Sequence, residues 1–309
     1  MNALQDAVIE QIAGLLPFKT LPILLEAVTG HHNWQRFVEA EHEYRCDVHL
    51  TFGVGQLEGK ILCNAQHSPF REDGAVFKKW DLKKKHLARV SNITITGGSF
   101  PEDERKEETL TTLYNLCKLP VLRGKDEQKT VLHIGETPKS HEAILSRLID
   151  HLPTAFEEVS VIMVKEQPQV LTKVAEHLNT TSNLALQKLT ILDCGIDQNI
   201  LSPLGDIFLS RKNSKLALVV SNCSTKFSAD SLLQLIKKFR ESDVECRGER
   251  TMSLEMTEDE WSVVAERYKS LGSIEIEDNS RKYCLSISQF GVLIMLRIFR
   301  IMKRVSFGG

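Results

Sequence analysis

Residues 186–194 read LQKLTILDC, a four-slot pattern L-x-x-L-x-L-x-x-C with Ile191 in the third slot. Its centre alternates, so in an extended chain Leu189 and Ile191 face one side and Thr190 and Leu192 the other. The pattern returns. One step earlier Phe156, Val159, Val161 and Val164 fill the same slots, and one step later Leu218, Val220 and Cys223 fill the last three. Leu132 and Ile134 precede Val159 and Val161 by a similar step; a longer one reaches back to Ile93 and Ile95, with Val90 three before. Leu271, Ile274, Ile276 and Asn279 fill all four slots, and the double step from Leu218 to Ile274 contains a weaker copy, Met252 and Leu254. A chain with this beat folds most simply by stacking equal units.

A return of this pattern about every 28 residues resembles the leucine-rich repeat family. Between the strands lie segments of three- and four-residue apolar spacing: Leu110 to Cys117, Ile144 to Leu152, Val170 to Leu178, Leu201 to Phe208, Leu232 to Phe239 and Trp261 to Tyr268. Pro168, Asp230 and the acidic run after Thr257 mark helix starts. Strand and helix in alternation imply parallel strands. A doubly wound open sheet is the competing arrangement. Near the end, Tyr283, Leu285 and Ile287 read as a hairpin or edge strand, and QFGVLIMLRIFRIMKRV as a closing helix over the last unit.

The opening segment is helical in pattern. Leu4, Val8, Ile12, Leu15 and Leu16 are spaced by helix turns, Pro17 interrupts, and Leu21, Leu24, Leu25 and Val28 follow, with Trp34 and Phe37 beyond. Leu4, Val8, Ile12, Leu15, Leu16, Pro17, Leu21, Leu24, Val28 and Trp34 resemble the F-box family, with Gln5 where that family usually carries proline. The resemblance implies docking on the Skp-type adaptor of a cullin-based ubiquitin ligase. The same helices read as a cap over the first repeat if they serve only the array.

The fold expected is therefore α/β: a leucine-rich-repeat-like solenoid, parallel strands on the concave side and helices outside, preceded by a small all-α F-box-like domain. The boundaries are 1–40 for the helical segment, 41–90 for a transition, and 91–309 for the solenoid with a C-terminal capping helix. In the transition, Val48, Leu50 and Phe52 alternate, as do Ile61 and Cys63, which reads as a hairpin or two irregular strands; Val76, Trp80 and Leu82 suggest another strand. GVGQLEGK is no phosphate loop, since Val54 stands where glycine is required and Ile61 follows Lys60. The basic cluster Lys78, Lys79, Lys83, Lys84, Lys85 and Arg89 reads as a solvated surface.

Composition narrows the function. Net charge is −2, which gives no general attraction to nucleic acid or an anionic membrane. Seven scattered cysteines with no C-x-x-C argue for a reducing compartment, so the localisation expected is cytoplasmic or nuclear. No signal peptide and no spanning segment are expected. H-E-x-x-H and G-x-S-x-G are absent, so no metal, cofactor or catalytic residue is assigned.

Function must then come from shape. Stepping one residue off each inward aliphatic gives the outward strand face: Thr94, Thr96, His133, Ser160, Ile162, Thr190, Leu192, Val219, Ser221, Glu275 and Glu277. The expectation is a non-enzymatic substrate-recognition adaptor of an SCF-type ubiquitin ligase, with its target on this face. The alternatives are an interaction scaffold or inhibitor with no ligase coupling, and an α/β enzyme.

Overall fold

The structure is a computed structural model that describes residues 6–16, 20–57, 60–69, 78–79, 88–97, 107–108, 110–119, 129–153, 156–180, 186–210, 215–241, 248–270, 273–280 and 282–301. It contains two compact units, Met1–Leu132 with His151–Pro153, and His133–Asp150 with Thr154–Gly309. Both are α/β, and the sheet is open and mixed, with parallel and antiparallel strand pairs among the described residues.

The first unit begins with helices α1 (Asp6–Leu15), α2 (Leu21–Ala27) and α3 (His32–Tyr44). Pro22 sits in the first turn of α2, where a missing N–H costs nothing. Three short helices need a core of their own. Ala13, Leu21 and Val38 form it, with Leu16, Leu24, Leu25, Trp34 and Phe37 packed around them. Strands β1 (Cys46–Leu57) and β2 (Lys60–Pro69) then pair antiparallel in a long hairpin. The short β3 (Lys78–Lys79) pairs with β2, β4 (Ala88–Thr96) runs parallel to β1, and β5 (Glu107–Glu108) also joins β2. Helix α4 (Leu110–Cys117) follows. The strand expected from Val76, Trp80 and Leu82 falls outside the described residues, as do Lys83, Lys84 and Lys85 of the basic cluster.

A buried charge network ties helices and sheet of this unit together. Arg45 donates to Glu41 Oε2 at 2.7 Å and to the carbonyls of Leu16 and Ala13 at 2.8 and 3.0 Å. From β4, Arg89 donates to Glu41 Oε1 at 2.8 Å and to the Gly14 carbonyl at 3.2 Å. Arg89, Arg45 and Glu41 are all buried. Two guanidiniums thus serve the orphan carbonyls at the end of α1, where the helix dipole favours positive charge, and the Glu41 carboxylate bridges them.

The second unit repeats one motif. After β6 (Val131–Ile134), which spans the boundary of the two units, the strands β7 (Glu158–Ile162), β8 (Lys188–Leu192), β9 (Leu216–Ser221) and β10 (Arg250–Glu255) lie side by side in chain order. From β7 to β10 they are parallel and in register: Val159 opposite Leu189, Leu189 opposite Leu218, Leu218 opposite Met252. The weak copy at Met252 is therefore the next strand of the series. Helices α5 (Glu142–His151), α6 (Pro168–Thr180), α7 (Leu201–Ser210), α8 (Ala229–Glu241) and α9 (Glu258–Tyr268) alternate with the strands, and from α6 onward each packs on the next. Lys173 reaches back from α6 to Asp150 of α5 at 2.8 Å. Arg250, fully buried at the start of β10, donates from Nη1 to the carbonyls of Phe208 and Leu209 at 2.7 and 3.0 Å and so closes the end of α7.

The turns after the strands repeat as closely as the strands do. Met163, Asp193 and Asn222, at matching points after β7, β8 and β9, all take left-handed backbone, with φ of 59°, 54° and 55°. The N–H of Met163 donates to the Leu192 carbonyl at 2.9 Å, and that of Asp193 to the Ser221 carbonyl at 3.2 Å. Gly195 N–H donates to Val164, and Ser224 N–H to Cys194. A Cβ on Gly195 would stand 1.8 Å from the Lys165 carbonyl oxygen, so only glycine lets consecutive turns approach this closely.

Two expectations fail at the C-terminal end. The closing helix is a strand, β13 (Leu293–Arg300), antiparallel to both β10 and β12 (Tyr283–Phe290). Its Ile294, Leu296 and Ile298 are buried with Met295 and Arg297 exposed between them, a period of two that the surrounding apolar residues hide. The four-slot copy around Ile274 is not the next parallel unit. It forms β11 (Ser273–Glu277), the outermost strand, which pairs antiparallel with β12. Leu271, its first slot, lies outside the described residues.

Candidate functional site

Strand burial in the second unit separates two faces. Val159, Val161, Leu189, Ile191, Leu218, Val220, Met252 and Leu254 are buried. Ser160, Ile162, Thr190, Leu192, Val219, Ser221, Thr251 and Ser253 between them are half-buried, on the side that reaches solvent. Directly paired residues share a face, so the registers assemble rows across the strands. One row runs Ser160, Thr190, Val219, Ser253, Met295, Ser288, Ser273. Another runs Glu158, Lys188, Ala217, Thr251, Arg297, Ser286, Glu275. A third holds Ile162, Leu192 and Ser221.

The structure thus places Ile162, Thr190, Leu192, Val219 and Glu275 on one sheet face. His133 joins them, since its Nδ1 lies 2.7 Å from Ser160 Oγ. Burial holds the His133 imidazole below its ordinary value, so it is neutral near pH 7. Thr94 and Thr96 are half-buried on β4 in the first unit, where Thr94 lies opposite Thr51 of β1.

Several charges on the open face are matched. Glu158 stands opposite Lys188, and Arg297 bonds Glu249 at 2.6 Å. At the end of β10, Glu255 accepts from Ser221 Oγ at 2.8 Å, Asn222 N–H at 3.0 Å and Lys226 Nζ. Burial pushes the Glu255 carboxyl up, but these three donors outweigh it and hold it below the usual carboxylate range. Apart from Glu275 and Glu277 on β11, what remains is apolar and hydroxyl-bearing. Sequence reasoning missed exposed apolar residues such as Phe290 at 63 %, Met163 at 45 % and Met295 at 37 %. Met163 occupies a spacer position of the four-slot pattern, and the other two lie in the stretch that reads as a helix.

The residues picked from the F-box resemblance divide by burial. Leu21 is fully buried, and Leu16 and Leu24 are half-buried against the same core. Val8 is 37 % exposed, and Ile23, which the pattern did not single out, is 70 % exposed. Leu4, Pro17 and the side chain of Leu15 fall outside the described residues.

Among the described residues no group of histidine, cysteine and acid side chains could hold a metal ion. Burial pushes the Cys117 thiol up to about 12 and that of Cys194 to about 11. On the helix side, a cavity of about 220 Å³ lies between α7 and α8, and its Lys238 is engaged by Asp206 at 3.0 Å and Ser202 at 3.1 Å. Among the described residues, no helix is long and apolar enough to cross a membrane. Set against family models, curated proteins and solved structures, the chain matches none of them.

Proposed function

We propose that residues 133–301 form a leucine-rich-repeat-like solenoid that binds a protein partner on its open sheet face, without catalysis of its own. The observation that carries this is the row Ser160, Thr190, Val219, Ser253, Met295: five strands deliver small hydroxyl and aliphatic side chains to one surface, in register. Such a surface, with aliphatic side chains at its centre and charges at its margins, has the make-up of a protein interface. Leu192→Lys and Val219→Lys test it. Both residues are half-buried on the open face, so folding should survive. Cross-linking in extract from the source organism should lose the same discrete partners with both variants and keep them with Lys237→Glu on α8. Loss with the α8 variant alone, or no discrete partner for the wild type, argues against the reading.

A second reading keeps the adaptor role. Ile23 on α2 and Val8 on α1 present apolar surface to solvent on helices that resemble an F-box. Ile23→Asp is the informative substitution, because Leu21→Asp would disrupt the helices' own core. Binding of the wild type to a Skp-type adaptor, abolished by Ile23→Asp, supports this role; no binding by a folded wild type removes it.

A further inference from the structure

We infer that the outer edge of β11 takes an extended basic peptide segment of a partner protein as an added strand. β11 is the terminal strand of the sheet, paired with β12 on one side only among the described residues. Its other side offers the alternate N–H and C=O groups of the strand, apart from the Ser273 carbonyl, which accepts from Ser270 Oγ, and so is a template for strand addition. Its Ile274 and Ile276 are buried beneath the sheet, so the strand is firmly seated. The side chains on the opposite face select the occupant. Glu275 and Glu277 are exposed, two positions apart, with no ion pair among the described residues, whereas several other charges of the open face are matched.

An added strand with lysine or arginine at alternate positions would set a cation opposite each glutamate, the favourable cross-strand pairing. A second copy of the chain does not meet this requirement. Full-length two-fold antiparallel pairing of two β11 edges sets Glu275 against Glu275, and like charges directly opposed repel. Backbone pairing at this edge is independent of what the open face binds, so either can hold without the other.

The test uses the full chain and two capped five-residue peptides, one alternating lysine and valine, the other glutamate and valine. Amide hydrogen exchange of Ser273–Glu277 is followed by NMR. The lysine peptide should slow alternate amides of β11 by about tenfold, and the glutamate peptide should not. In the double variant Glu275→Lys, Glu277→Lys the preference should reverse. Unchanged β11 exchange with the lysine peptide, or equal protection of wild type and double variant, would overturn the inference.

Discussion

The carboxylate of Glu255 accepts the N–H of Asn222 at 3.0 Å, in the place where the two preceding turns use a strand carbonyl. Met163 and Asp193 donate to the backbone of the next parallel strand; Asn222 donates to a side chain. The substitution falls where β10 meets the antiparallel β13, so Glu255 closes the ladder of turns at the end of the parallel series.

Replacing Glu255 with alanine strands the donors of Ser221, Asn222 and Lys226 and should cost about 2 kcal/mol in denaturant unfolding. The pH dependence follows from the lowered carboxyl. A group depressed in the fold contributes stability that is complete above the ordinary glutamate value of about 4.3 and is lost as pH falls through the folded value. Glu255→Gln should flatten that acid limb.

Gly195→Ala drives a methyl group into the Lys165 carbonyl, part of a rigid turn. The expected loss is about 2–3 kcal/mol. Gly205→Ala meets only Leu235 Cδ1, the movable end of a side chain, and should cost about 1 kcal/mol or less. Urea midpoints at unchanged slope distinguish the two.

Glu41→Gln leaves two buried guanidiniums without their anion and should destabilise the first unit by about 3–5 kcal/mol. Because Arg89 belongs to β4, removing residues 1–44 should also cost that sheet its cooperative transition. A truncated chain that melts like the full one would show that the helices are a detachable module.

The His133 imidazole, held down by burial, resists protonation in the fold. Below about pH 6.5 the unfolded chain takes up the proton first, so the contribution of this group to stability is full above that value and declines as pH falls toward the folded one. His133→Gln should remove the part of the slope that begins at about pH 6.5, measured by unfolding at fixed ionic strength.

The spacing of Val159, Leu189 and Leu218 was enough to place β7, β8 and β9, because inward aliphatics at a fixed interval leave few other solutions. The open face followed from the same alternation. The strand at β11 was legible but its antiparallel pairing was not, and β13 read as a helix. Around Ile274 the four-slot pattern is as good as at Leu189, yet pairing is decided by which strand lies beside β10, and that is β13. The buried arginines were missed for another reason, Arg89 having been read as part of a solvated basic surface when it is buried. Arg45, Arg89 and Arg250 each serve helix carbonyls far away along the chain, and no local pattern announces such a partner. The leucines of α1 and α2 gave helices correctly, but spacing alone does not say whether Leu21 faces a partner or its own core.

The open face as binding surface is tested most directly by placing a photo-reactive benzophenone side chain at Thr190 in one protein and at Gln234, exposed on α8, in another. Irradiation in extract from the source organism should give discrete protein adducts from the Thr190 position and none from the Gln234 position. Adducts from Gln234 alone, or from neither site in a folded protein, would contradict the account.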